Sequence, residues 1–192
     1  MKERPIIFSD LSVRAILDGR KTQTRRVIKN APEILDRPEI MPALVESYKA
    51  AWLKISPFQP GDRLWVRETW ADNVPGCPSG ISYRADHQDG RGDGPASPMK
   101  WRSPIFMPRL ASRITLEVLS VRVERLQEID KKDEFGQHVD GGAWAEGFRC
   151  PNPTAAFMLY WDSLNAKRGF GWDANPWVWV IEFRRVDQEG KK

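Results

Sequence analysis

The octapeptide over residues 19–26, Gly-Arg-Lys-Thr-Gln-Thr-Arg-Arg, sets four cationic side chains around two threonines. Lys21 and Thr24 stand three apart. In an extended strand they would point to opposite faces; in a tight or helical turn they would be neighbours. A threonine hydroxyl is a poor nucleophile until a base takes its proton, and a neutral lysine amine can be that base. Nearby cations and desolvation both favour the neutral form of an amine. A carboxylate is still needed, to orient the amine or to activate water. The same residues read equally as phosphate ligands, with the threonines satisfying a turn.

The charge distribution supports a phosphate-rich partner as much as it supports catalysis. The formal net charge is +4 over 192 residues. Arg20, Lys21, Arg25, Arg26 and Lys29 fall in an acid-free stretch over 19–32. Lys100, Arg102, Arg109 and Arg113 fall in a second over 94–116. Such stretches are the electrostatic footprint of a nucleic-acid partner, or simply two solvated loops.

Between the two stretches, Trp-Val-Arg-Glu-Thr-Trp (65–70) offers Glu68 as a reserve carboxylate. Arg67 could hold it ionised, and a structural ion pair is an equal reading. Of nine tryptophans, Trp161, Trp177 and Trp179 fall on apolar stripes and are assigned to the core. Trp70 and Trp101, beside loops and bases, are candidates for stacking a nucleobase, worth about 1–3 kcal/mol per base.

Several classes are set aside. Cys77 and Cys150 have no Cys-x-x-Cys spacing, and with His87 and His138 they form no recognisable metal set. No metal or cofactor is expected. The first ten residues hold no long apolar run, so neither a signal peptide nor a membrane span is expected, and the cytoplasm is the expected compartment. The Arg-Gly-Asp at 91–93 reads as chance in a Gly-rich loop.

The elements that must position these residues follow from periodicity. A short strand over 5–8 leads to a helix capped by Ser9 or Ser12, with Leu11, Ala15 and Ile16 on its inner face and Gly19 as its stop. Residues 30–60, with five prolines, predict an irregular excursion holding one helix near 43–53. Pro60–Gly61 predicts a turn into a strand over 63–70. Five glycines and four prolines make 72–100 a long loop. The next strand alternates through Ile114, Leu116 and Val118, then changes parity to Val121 and Val123. That slip predicts a β-bulge near 119–120.

Asp130 is placed to cap a short helix, and Asn152–Pro153 opens a longer one. Its stripe is Phe157, Tyr160, Trp161 and Leu164, and it ends at Lys167, Arg168 and Gly169. The closing strand carries Trp177, Trp179, Ile181 and Phe183 on one face and Val178 and Val180 on the other, turning polar at Glu182 and Arg184. The sum is a single α+β domain over 1–192, with five to seven strands and a flexible tail at 186–192. A small closed or half-closed barrel is favoured over a doubly wound sheet.

The order of ILDGRKTQTRR, PGDRLWVRETW, MPRLASRITLEVLSVRVERLQEI, AWAEGF and NPWVWVIEF resembles the ASCH domain, in the version common among phage and prophage proteins. The resemblance runs from about Ile6 to Phe183. It implies a PUA-like mixed β-barrel flanked by short helices, with insertions at about 30–60 and 72–100, a cleft beside the barrel, and association with RNA.

Some ASCH proteins are amidohydrolases that remove the acetyl group from N(4)-acetylcytidine with a lysine, a threonine and a glutamate. Their Lys-Thr-x-Thr motif carries over to Lys21 and Thr24. Counted without gaps from Ile129, the glutamate position falls on Gln137, which cannot act as a base. With 134–142 as an insertion it falls on Glu146, the preferred choice. The implied partner is RNA or a modified nucleoside. The alternative is an RNA-binding module or weak ribonuclease with Arg20, Arg25, Arg26, Arg67, Arg109 and Arg113 on phosphates.

Overall fold

The structure is a computed structural model that describes residues 1–31, 35, 42–72, 80–87, 99–129 and 153–186. Gln137, Glu146, the helix expected at Asp130 and the tail from 187 lie outside the described residues. The elements are β1 (Glu3–Ile7), α1 (Asp10–Leu17), β2 (Gln23–Val27), α2 (Pro42–Ile55), β3 (Arg63–Arg67), β4 (Trp70–Asp72), β5 (Ile81–Tyr83), β6 (Thr115–Arg125), α3 (Pro153–Asn165) and β7 (Trp177–Val186). Five strands form one sheet in the order β1-β3-β6-β7-β2, and β4 and β5 pair separately. Among the described strands of this sheet, β1 and β3 are the pair that runs parallel. The fold is α+β.

The strand expected over 63–70 is two strands. It divides at Glu68 and Thr69, where the chain leaves the large sheet for the small one, and Arg67 O closes the first ladder by accepting from Phe8 N at 3.1 Å.

The bulge lies where the parity change put it. Val118 pairs Phe183, the next pair is Ser120 with Glu182, and Leu119 is the extra residue, 50% exposed. Side chains directly opposite in an antiparallel pair share a face. Val118, Val121 and Val123 therefore all stand on the core face with Phe183, Ile181 and Trp179. A bulge also adds bend and twist. The sheet curls enough that Phe8, at the end of β1, sits 6.0 Å from Phe183 ring to ring, although β3 and β6 separate their strands.

Both faces of β7 are covered. Trp177, Trp179, Ile181 and Phe183 join the main core with Val13 and Ile16 of α1 and Val45 of α2. Val178 and Val180 pack under Phe157 and Trp161 of α3, with Leu126. Two helical assignments shift. In α1 the buried positions are Ser12, Val13, Ala15 and Ile16, not Leu11. In α3 Leu164 is 52% exposed, and the buried place is taken by Asn165, whose Nδ2 donates to Trp161 O at 3.1 Å. Among the described residues no helix is long and apolar enough to cross a membrane.

Phe183 is among the largest of the fully buried side chains and packs against Phe8 across the curl. Phe183→Ala should cost about 3–5 kcal/mol of unfolding free energy, read from urea melts with an unchanged slope. A loss under about 1 kcal/mol would show that the curl does not depend on this contact.

Candidate functional site

Gly19 adopts φ 71° and turns the chain off α1, so that the backbone N–H groups of Arg20 and Lys21 both donate to Ala15 O, at 2.8 and 2.9 Å. A glycine reaches that conformation without a Cβ penalty. Lys21 is thereby folded back beneath the helix end, ahead of β2. Phe183 N then donates to Thr22 O at 2.8 Å, which fixes the register in which β2 enters the sheet.

β1 and β2 are the two edges of the curled sheet, and they approach without pairing. Arg26 Nη2 crosses the gap to donate to Ile7 O at 2.7 Å, and its guanidinium lies 5.3 Å from the Phe8 ring centre. Lys21 Nζ lies 6.0 Å from the same ring. Beside this gap, walled by the start of α1 and by α3, is a cleft of about 820 Å³. Clefts of roughly 300–1,000 Å³ suit small organic ligands.

The cleft collects the residues of the opening motif. Lys21, Thr24, Arg25 and Arg26 all line it, and Lys21, Thr24 and Arg25 are 7–9% exposed. Thr24 stands opposite Ile181 and Arg26 opposite Trp179, on the core face. Arg25 stands opposite Val180 on the other face, 6.0 Å from the Phe157 ring of α3. Because β2 is an edge strand, residues from both of its faces border one cleft. Lys21 and Thr24 both line it, Lys21 ahead of the strand and Thr24 within it, and the motif forms no helical turn.

Several residues in the cleft carried no functional reading in the sequence. Ser9 caps α1, accepting from Ser12 N at 3.4 Å, and its Oγ also lies 3.0 Å from the Tyr160 hydroxyl of α3. Ser12 Oγ is 3.5 Å from the same hydroxyl. Asp10, in the first turn, pairs with Arg84 at 2.7 Å on the cleft wall. The Ser-x-x-Ser spacing at a helix start was the available signal for the hydroxyls; a partner 74 positions along the chain left none for Asp10. Burial lowers the pKa of the Arg26 guanidinium from its ordinary value, with Tyr160 acting in the opposite direction.

The other expected site residues lie outside the cleft. Arg20 is exposed and pairs with Asp18 at 2.7 Å. Arg67 covers Trp65 at 4.6 Å and donates to Ile105 O at 3.1 Å. Arg109 pairs with Glu3 at 2.7 Å. Trp70 is 5% exposed, packed with Met107 and Ala111 under Arg102. Trp101 is half-buried, its ring 5.5 Å from that of His87.

Glu68, 1% exposed, takes a bidentate pair from Arg113, Nε and Nη2 each at 2.9 Å. Asp86 holds the same guanidinium at 2.8 Å, and the Tyr83 ring lies 4.0 Å from it. Burial pushes the Glu68 carboxyl up despite Arg113, while two carboxylates hold Arg113 above its ordinary value in its charged form. Among the described residues no three or more His, Cys, Asp and Glu are grouped to hold a metal ion.

No family model matches the sequence, and no curated protein matches it. The chain is similar in structure to the ASCH domain from Lactobacillus crispatus JV V101, with 9% identity and a TM-score of 0.41, over 96% of this chain and 79% of that one.

The Glu68–Arg113 pair sets a pH test. Removing one partner of a buried pair typically costs about 3–5 kcal/mol, so Arg113→Met should destabilise by about 3 kcal/mol at neutral pH. Without Arg113 the Glu68 carboxyl rises further, and the folded state holds its proton more tightly than the unfolded state. A raised carboxyl contributes stability at low pH that is lost as pH rises. The penalty measured by denaturation should therefore shrink on going from pH 7 to about pH 5. A constant or growing penalty would contradict the burial-dominated account of Glu68.

Proposed function

We propose that this chain is an ASCH-type protein acting on modified nucleosides, and that it hydrolyses an acylated cytidine such as N(4)-acetylcytidine. The observation that carries the reading is that Lys21 and Thr24, the two residues its resemblance assigns to catalysis, are both buried and both line one cleft of small-ligand size.

In this reading Lys21 Nζ takes the proton from Thr24 Oγ1 while that oxygen attacks the acyl carbon. Negative charge develops on the carbonyl oxygen, and Arg25, on the cleft wall, is the group assigned to hold it. Collapse of the tetrahedral intermediate breaks the C–N bond. The proton held by Lys21 passes to the departing nitrogen, releasing cytidine and leaving an acyl ester on Thr24. A water molecule deprotonated by Glu146 then attacks the ester carbon; its C–O bond to Thr24 breaks, Glu146 returns the proton to Thr24 Oγ1, and the carboxylic acid leaves. No other atom is consumed.

The non-catalytic RNA-binding reading gains less from the geometry. Arg109 and Arg113 are engaged by Glu3, Glu68 and Asp86, and Arg67 covers Trp65 outside the cleft. The cations that remain on the cleft line a pocket rather than a track along the surface.

Chromatography of N(4)-acetylcytidine after incubation tests the reading. Lys21→Ala, Thr24→Ala and Glu146→Ala should each lower kcat/KM by at least about 100-fold, and Gln137→Ala should leave it near wild type. Turnover that survives Thr24→Ala would overturn the nucleophile, and no cytidine from the wild-type protein would overturn the activity.

A further inference from the structure

The mechanism leaves Arg26 without a role, and its surroundings are unusual for a guanidinium. It lines the cleft, two residues beyond Thr24 on the same face of β2. Two residues along a strand is roughly 7 Å between Cα atoms. Its Nη2 donates to Ile7 O, and its guanidinium lies over the Phe8 ring. No carboxylate among the described residues pairs with it, and its Nε–H is buried without an acceptor. The acid on the cleft wall, Asp10, is engaged by Arg84 at 2.7 Å.

Arg26 is half-buried, and an anion is the group that most directly offsets the cost of a partly buried cation with no paired carboxylate. Arginine presents a planar fork that matches a phosphate bidentately. With Nη2 tied to Ile7 O, the fork is fixed in direction and needs little ordering on binding. Tyr160 lines the same cleft, and its hydroxyl sits with that of Ser9 at 3.0 Å. Hydroxyls can turn to donate to phosphate oxygens. The cleft wall therefore offers one fixed cation and rotatable donors beside the proposed nucleophile.

We infer that Arg26, with Tyr160 and Ser9, forms a phosphate subsite, so that the cleft takes a nucleoside monophosphate in preference to the neutral nucleoside. The inference rests on the reading of this cleft as a nucleoside site. The base carries its acyl group to Thr24, and the phosphate monoester pairs with the Arg26 fork. Inorganic phosphate competes for that subsite alone.

Isothermal titration with cytidine 5′-monophosphate and with cytidine is the test, because it needs no turnover. Wild type should bind the monophosphate at least about tenfold more tightly, the scale of one charge-assisted pair. Arg26→Gln should bind the two alike. Arg26→Lys, which keeps the charge and loses the fork, should keep part of the preference. It also keeps the test usable if the Gln variant folds poorly. Equal affinities in wild type, or a preference that survives Arg26→Gln, would overturn the subsite.

A dinucleotide carrying only a phosphodiester should bind more weakly than the monophosphate; equal or tighter binding would overturn the monoester assignment. A phosphate preference without hydrolysis of N(4)-acetylcytidine would sink the amidohydrolase reading and leave the subsite standing. Hydrolysis indifferent to the phosphate would do the reverse.

Discussion

The candidate site depends on two sheet edges that come together without pairing. The Arg26 side chain bridges β1 and β2 by donating to Ile7 O. Had the backbones paired, a ladder would fill the gap and the side chains of β2 would face a sealed barrel. Left unpaired, the edge exposes both faces of β2 to one space, and α1 and α3 wall it instead of a sixth strand. Edge strands are ordinarily a liability that a protein must cover. Here the cover forms a cleft.

Everything upstream serves that geometry. The bulge at Leu119 bends β6 and keeps Val121 and Val123 on the core face. The Phe8–Phe183 contact brings the end of β1 to within 6.0 Å of β7, ring to ring, across the curl. Gly19 then turns the chain so that Lys21 arrives beneath α1 just before β2 begins. Charge is sorted by the same fold. The second basic stretch meets Glu3, Glu68, Asp72 and Asp86 outside the cleft, while Arg25 and Arg26 of the first stretch remain on it.

Local rules made much of this legible. The helix stop at Gly19, the turn at Gly61, the bulge and the two-faced burial of β7 all follow from spacing and residue type over short windows. The α+β class followed from their order. What spacing does not carry is pairing between distant segments. Arg113 and Glu68 are 45 positions apart, and Arg84 and Asp10 are 74 apart. A basic stretch without acids therefore looked free for phosphate when its partners lay elsewhere in the chain. Trp70 looked like a stacking surface for the same reason, until Met107 and Ala111 closed over it. Tyr160 was assigned to a core stripe, and only the approach of α3 to the start of α1 reveals its hydroxyl among those of Ser9 and Ser12. The glutamate of the proposed triad rests on motif order alone, because Glu146 lies outside the described residues.

The most direct test of the central claim is a crystal structure of the Thr24→Ala variant soaked with N(4)-acetylcytidine. The account predicts the nucleoside in the cleft between β1 and β2, its acyl carbon beside position 24 and within reach of Lys21 Nζ. A nucleoside bound elsewhere, one bound there with its acyl group turned away from position 24, or an empty cleft at saturating ligand would contradict it.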